Sequence, residues 1–142
     1  MTHTAITTSR RTPPEIEGII KKEFALSNLA ELLVIANEKN IASAVGGILA
    51  LSEVIVVSGE SISMVSEAAS SGKPAVVFDL QKKTKKISRH ELFLQNLNQK
   101  EFISRTSVDA LPFALENIAI NKQTLKTLDD NKKIKQALRS IL

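Results

Sequence analysis

Along this chain, short wholly apolar runs alternate with stretches that are apolar on one side only, and that alternation predicts strands interleaved with helices. His3–Thr8 is rich in β-branched residues and reads as a first strand. Thr12-Pro13-Pro14-Glu15 has the form of a capping box, with Thr12 accepting from the N3 amide, Glu15 reaching back to the cap amide and Pro13 at the first helical position. Ile16, Ile19, Ile20 and Phe24 follow at helical spacing, a stripe expected to lie on a sheet. Leu32–Ala36 predicts a second buried strand, and Ile41–Leu51 a helix loosened by Gly46-Gly47.

The stretch Val54–Phe78 is the most informative. Two buried β-branched runs, Val54–Val57 and Ala75–Phe78, enclose a hydroxyl-rich turn and a short helix stopped by Gly72 and Pro74. Beyond it, Lys82-Lys83-Thr84-Lys85-Lys86 reads as a solvated loop. Ser88 or its neighbour is expected to cap a helix carrying Leu92, Phe93 and Leu97, and Phe102-Ile103 reads as a very short fifth strand. Asp109 caps a helix with Leu111, Ala114, Leu115 and Ile118 on one face, and a last helix after Asp129 or Asp130 aligns Ile134, Leu138 and Ile141. Continuously apolar strands alternating with helices predict an α/β, Rossmann-like three-layer domain whose parallel sheet of about five strands is covered on both faces. No linker, repeat or low-complexity tract divides the chain, so residues 1–142 are expected to form a single domain.

Composition narrows the function classes. A content of 43% hydrophobic and 24% charged residues excludes disordered and fibrous classes. The net charge of +4 comes without Tyr or Trp, and basic residues do not alternate with aromatics, so no nucleic-acid partner is expected. The lack of cysteine excludes disulfide frameworks and thiolate metal sites and fits a reducing compartment. No apolar run reaches the ~20 residues of a membrane span. With no signal-peptide pattern either, a cytoplasmic location is expected. His3 and His90 lack companions at ligand spacing, so no metal is expected, and His90 between Arg89 and Glu91 reads as a surface helix residue rather than a catalytic base. The dinucleotide, P-loop and hydrolase-elbow glycine motifs are missing, and no catalytic residue is assigned.

What remains is two candidate anion-binding turns, each between a strand end and a helix N-terminus, where unpaired amides and the helix dipole favour negative charge. In the first, Ser9, Arg10, Arg11 and Thr12 either hold a phosphate through amides, hydroxyls and guanidinium groups, or supply only a cap and solvated charge. In the second, Gly59 allows close backbone approach, and Ser61 and Ser63 either donate to phosphate oxygens or cap the helix. Glu60 suits sugar hydroxyls or the helix dipole better than an anion, and Glu67 is either a ribose-binding acid or a surface helix residue. Two such turns in one sheet can face one ligand.

The segments Thr7–Pro14, Glu60–Ala68 and Gly72-Lys73-Pro74 together resemble the carboxyl-terminal half of the mitochondrial-fission, or elongated-mitochondria, family, which is similar in fold to GT-B glycosyltransferases. Glu60 stands where that family's motif usually carries Asp. The resemblance implies the donor-binding half of a GT-B-like protein. Ser61, Ser63 and Met64 would lie at the diphosphate-facing helix start, with Glu67 as the ribose acid and Ser9 and Arg10 facing an interdomain cleft. Its implied ligand is a nucleotide sugar or nucleotide diphosphate rather than a resident cofactor. Because Met1 leads at once into the first strand, the amino-terminal half of such a cleft is expected to be missing, with no glycosyl transfer by this chain alone and self-association through uncovered surface. The alternative implied by the family is a non-enzymatic protein-interaction module.

Overall fold

A computed structural model describes residues 3–25, 27–39, 41–80, 87–121 and 124–139, without the side chains of residues 121, 132, 133 and 137. The lysine-rich loop expected at 82–86 and Ile141 of the last helix lie outside the described residues. The chain is α/β with parallel strands, as its hydrophobic pattern predicts. The strands pair as a two-stranded and a three-stranded sheet rather than as one five-stranded sheet. Two compact units contain them, Met1–Leu51 and Ser52–Leu142.

In the first unit β1 (Ala5–Thr7) runs parallel to β2 (Leu32–Val34), with Ile6 opposite Leu33. Between them lies α1 (Pro14–Phe24), and α2 (Ala44–Leu51) follows β2. The expected capping box does not form: Pro13 is the N-cap of α1, with no side-chain cap, and Pro14 is the first helical residue. Proline's fixed φ suits that start, and the Pro13 carbonyl accepts from Ile16 and Glu17 at 3.0 and 3.1 Å. Thr12 is thereby left one residue outside the helix, and its hydroxyl serves the preceding turn instead. The expected buried stripe is also corrected, because Ile16 and Ile19 are 45% and 57% exposed while Glu17 is buried.

The second unit is a βαβαβ core. Strands β3 (Ile55–Ser58), β4 (Ala75–Asp79) and β5 (Ser104–Ser107) run parallel in that spatial order. They are connected by α3 (Ile62–Ser70) and α4 (Arg89–Gln99), and followed by α5 (Leu111–Asn121) and α6 (Asn131–Arg139). Ala75, Val76 and Val77 are fully buried, as a central parallel strand requires. Val65, Ala68 and Ala69 of α3, Leu94 and Leu97 of α4, Ile103, and Ile118 of α5 complete the core. Coverage on both faces holds for β4 but not for β3, where Val56 is exposed between buried Ile55 and Val57.

Gly72 ends α3 at φ +78°, the left-handed region that glycine enters without steric cost. The fifth strand begins at Ser104, not at Phe102. Glu101 adopts φ +63° after α4, its amide donates to the Asn98 carbonyl and that of Phe102 to the Leu97 carbonyl, a complete Schellman closure. Phe102 is thus committed to the helix end and cannot enter the ladder. At the start of α6 the Ile134 amide donates to the Asp130 carbonyl at 3.0 Å, and the Asp129 carboxylate accepts from the Asn131 amide at 2.9 Å.

Candidate functional site

The Ser9–Thr12 turn follows β1 and is closed by its own hydroxyls. The Ser9 amide donates to Thr12 Oγ1 at 3.0 Å, the Thr12 amide donates to the Ser9 carbonyl at 3.0 Å, and the Arg11 amide donates to Ser9 Oγ at 3.2 Å. Arg10 and Arg11 point into solvent. Beneath the turn is a buried polar knot. Thr8 Oγ1 donates to Glu17 Oε1 at 3.0 Å and accepts from the Ala36 amide at 2.9 Å. Asn37 Nδ2 reaches the same Glu17 oxygen at 2.9 Å. One hydroxyl and one carboxylate therefore join the end of β1, the first turn of α1 and the segment after β2, satisfying polar groups that burial would otherwise penalise.

The second turn connects β3 to α3 at the carboxyl edge of the three-stranded sheet, where parallel sheets present ligand sites. Gly59 is buried and held from two sides. Its amide donates to the Phe78 carbonyl of β4 at 2.9 Å, and its carbonyl accepts from His90 Nε2 at 2.6 Å. A side chain here would have a Cβ 3.4 Å from Val77 Cγ1, the Phe78 carbonyl oxygen and Leu94 Cδ1, so the close neighbours of Gly59 are the protein's own strand and helix. Ser61 is the N-cap of α3 and accepts from the Met64 amide at 3.4 Å. Its hydroxyl hydrogen remains a donor, and the first amides of α3 have no intrahelical partner. Ser63, Glu60 and Glu67 are exposed, and Met64 is half-buried.

Behind this edge stands an ionic brace. Arg105 of β5, with 12% of its side chain exposed, donates from Nη1 and Nη2 to the two oxygens of Glu91 at 2.7 and 2.9 Å. Its Nε donates to both oxygens of Asp79, at the end of β4, at 2.9 and 3.0 Å. Gln95 adds a bond to Glu91 at 3.1 Å. The hydrogen bonds to Glu91, followed by those to Asp79, hold the guanidinium more firmly protonated than usual despite its burial.

Of the residues expected to bind a nucleotide diphosphate, Gly59, Glu60, Ser61, Ser63 and Met64 are brought together on one turn and helix start, and Glu67 lies further along the same helix. Ser9, Arg10, Arg11 and Thr12 form a separate turn in the other unit. The sequence reading missed Asp79, Glu91 and Arg105, and it placed His90 on the surface, whereas His90 is half-buried against Gly59. One signal was available: an arginine inside the short polar strand Ser-Arg-Thr-Ser needs a buried partner. Two surface hollows among the described residues lie elsewhere, around Ser70 with Thr127–Asn131 and around Glu53, Pro74 and Ile118, and neither is lined by the Gly59–Met64 turn.

Among the described residues no cluster of three or more His, Asp or Glu could hold a metal, and no helix is long and apolar enough to cross a membrane. The family model described as mitochondrial fission ELM1 matches residues 1–142. No curated protein and no solved structure shows a significant match to the chain.

Proposed function

Because the chain belongs to the mitochondrial fission ELM1 family, we propose that its β3–α3 turn is the diphosphate-binding wall of a GT-B-like nucleotide-sugar site. The observation that carries this reading is the β3–Gly59–Ser61–α3 arrangement. A fixed turn at the carboxyl edge of a parallel sheet aims a serine hydroxyl and the unpaired amides of a nine-residue helix outward. Glu67 is exposed roughly 9 Å further along the helix, at 1.5 Å per residue, a suitable reach for a ribose diol beside the diphosphate. In this reading the β3–α3 turn supplies the donor-binding wall of the site. Isothermal titration of the 142-residue chain with UDP, GDP, ADP and their sugar conjugates tests it. Ser61→Ala and Glu67→Ala should each weaken binding by roughly tenfold, the scale of one lost hydrogen bond to a charged or sugar group. Absence of binding to every nucleotide refutes it.

A second reading, a protein-interaction module, is favoured by a different observation. Ile16 and Ile19 on α1, and Ile134 and Leu138 on α6, are each about half exposed. Apolar residues adjacent on a helix face and left in water mark surfaces suited to a partner or to a second copy of the chain. Light scattering across a concentration series separates the two readings. Self-association abolished by Ile16→Glu or Ile134→Glu, without any nucleotide affinity, favours the module.

A further inference from the structure

We propose that His90 is a positioning residue for the β3–α3 turn, clamping it through the Gly59 carbonyl, and that Arg105 sets His90 in place through Glu91. A carbonyl oxygen can only accept, so the 2.6 Å contact assigns the proton to Nε2 of His90, in the neutral as in the charged ring. Gly59 is thereby tied at its amide to β4 and at its carbonyl to α4. This leaves the backbone that leads into Ser61 little freedom to rotate.

His90 occupies the first turn of α4, after the Ser88 cap, which accepts from the Glu91 amide at 3.1 Å. Its immediate neighbour Glu91 is gripped by both terminal nitrogens of Arg105, whose Nε is locked on Asp79. Three links then cross the carboxyl edge: β3 turn to α4, α4 to β5, and β5 to β4. Two of them use buried or half-buried charged groups, which hold geometry strictly because an unmet charge there is costly. A turn that must present amides and a hydroxyl to an anion gains affinity when it is fixed in advance, since no ordering cost remains at the moment of binding. This role rests on the nucleotide reading only for its use; the clamp itself is a property of the ligand-free chain.

Deuterium exchange on the ligand-free 142-residue chain tests the clamp directly. His90→Leu should speed exchange of the Gly59 and Met64 amides, the two in the turn that donate to the Phe78 carbonyl and to Ser61 Oγ, by roughly tenfold, the scale of one lost hydrogen bond, with α5 unchanged. His90→Gln, which retains an N–H donor at similar reach, should stay within about threefold of the parent. Unchanged exchange in His90→Leu, or equal loosening in His90→Gln, overturns the proposal. Titration with UDP, GDP and ADP forms the second arm, where His90→Leu should weaken binding by roughly tenfold and His90→Gln restore it. If the parent binds no nucleotide, the nucleotide reading fails while the exchange result still decides the clamp. If the parent binds and His90→Leu binds equally well, the clamp has no part in recognition and the proposal fails.

Discussion

Replacing Arg105 by methionine isolates the ionic brace. The substitution keeps much of the side chain's length and apolar stem but removes the guanidinium from between two carboxylates. Their burial differs: Glu91 has 10% of its side chain exposed and Asp79 has 35%. Asp79 can recover water, so its loss adds at most about 1 kcal/mol. Glu91 is the more buried, and it forfeits two charge-assisted bonds, with the Gln95 amide among the partners that stay. Breaking a buried pair by removing one partner costs about 3–5 kcal/mol, most of it the stranded charge. We therefore expect about 3–4 kcal/mol of destabilisation, read as a fall of roughly 1–3 M in the urea midpoint followed by circular dichroism. Arg105→Met combined with Glu91→Leu removes both buried charges and should recover all but about 1–2 kcal/mol. A single variant within about 1 kcal/mol of the parent, or a double variant whose loss equals the sum of the singles, refutes the assignment of the brace as a coupled buried pair.

Three further outcomes follow from the same geometry. Thr8→Val keeps the shape of the side chain but strips the Glu17 carboxylate and the Ala36 amide of a partner; it should cost about 1–3 kcal/mol in urea unfolding, and a neutral effect would mean that the knot is not stabilising. Gly72→Ala places a Cβ no nearer than 4.0 Å to Thr127 Oγ1, an ordinary contact, so its loss of about 1–2 kcal/mol is conformational, whereas Glu101→Gly at another left-handed position should raise the urea midpoint; the reverse order refutes the argument. A hydrogen bond from Lys126, then its charge, holds the Glu101 carboxyl below the usual carboxylate range. Its contribution is therefore present above the unfolded carboxylate pKa and fades as pH falls through the folded value. The stability difference between the parent and Glu101→Gln should shrink between about pH 7 and about pH 3, and a difference that grows would contradict the sign.

Elements specified by local chemistry were legible in the sequence. Val54–Phe78 announced a strand, turn, helix and strand because each choice agreed with the next: apolar runs, a Ser61 cap, and a Gly72-Lys73-Pro74 stop. The errors arose where two local rules competed. Thr12 and Pro13 both qualify as helix starters, and the double proline decided the matter by shifting the cap one residue along. Phe102 has the composition of a strand residue, but a non-glycine Schellman closure at Glu101 claims its amide. The brace and the clamp were illegible for another reason. His90 lies 31 residues from Gly59, and Arg105 lies 14 from Glu91 and 26 from Asp79, separations that no helical or strand period encodes. Of the expected ligand turn, the sequence located the outward-facing residues but not those that hold them.

The segment after α5 closes the opposite edge of the three-stranded sheet by different means. The Leu128 amide donates to the Ala69 carbonyl at 2.9 Å, and the Lys126 amide donates to the Glu101 carbonyl at 2.8 Å. Main-chain bonds of this kind are available to almost any residue, whereas the carboxyl edge depends on one imidazole, one guanidinium and two carboxylates in register. The two rims of one sheet should therefore tolerate evolutionary drift unequally. Across relatives, positions 124, 125, 127 and 128 should diverge singly and Lys126 in company with Glu101, while His90, Glu91 and Arg105 should change together or not at all.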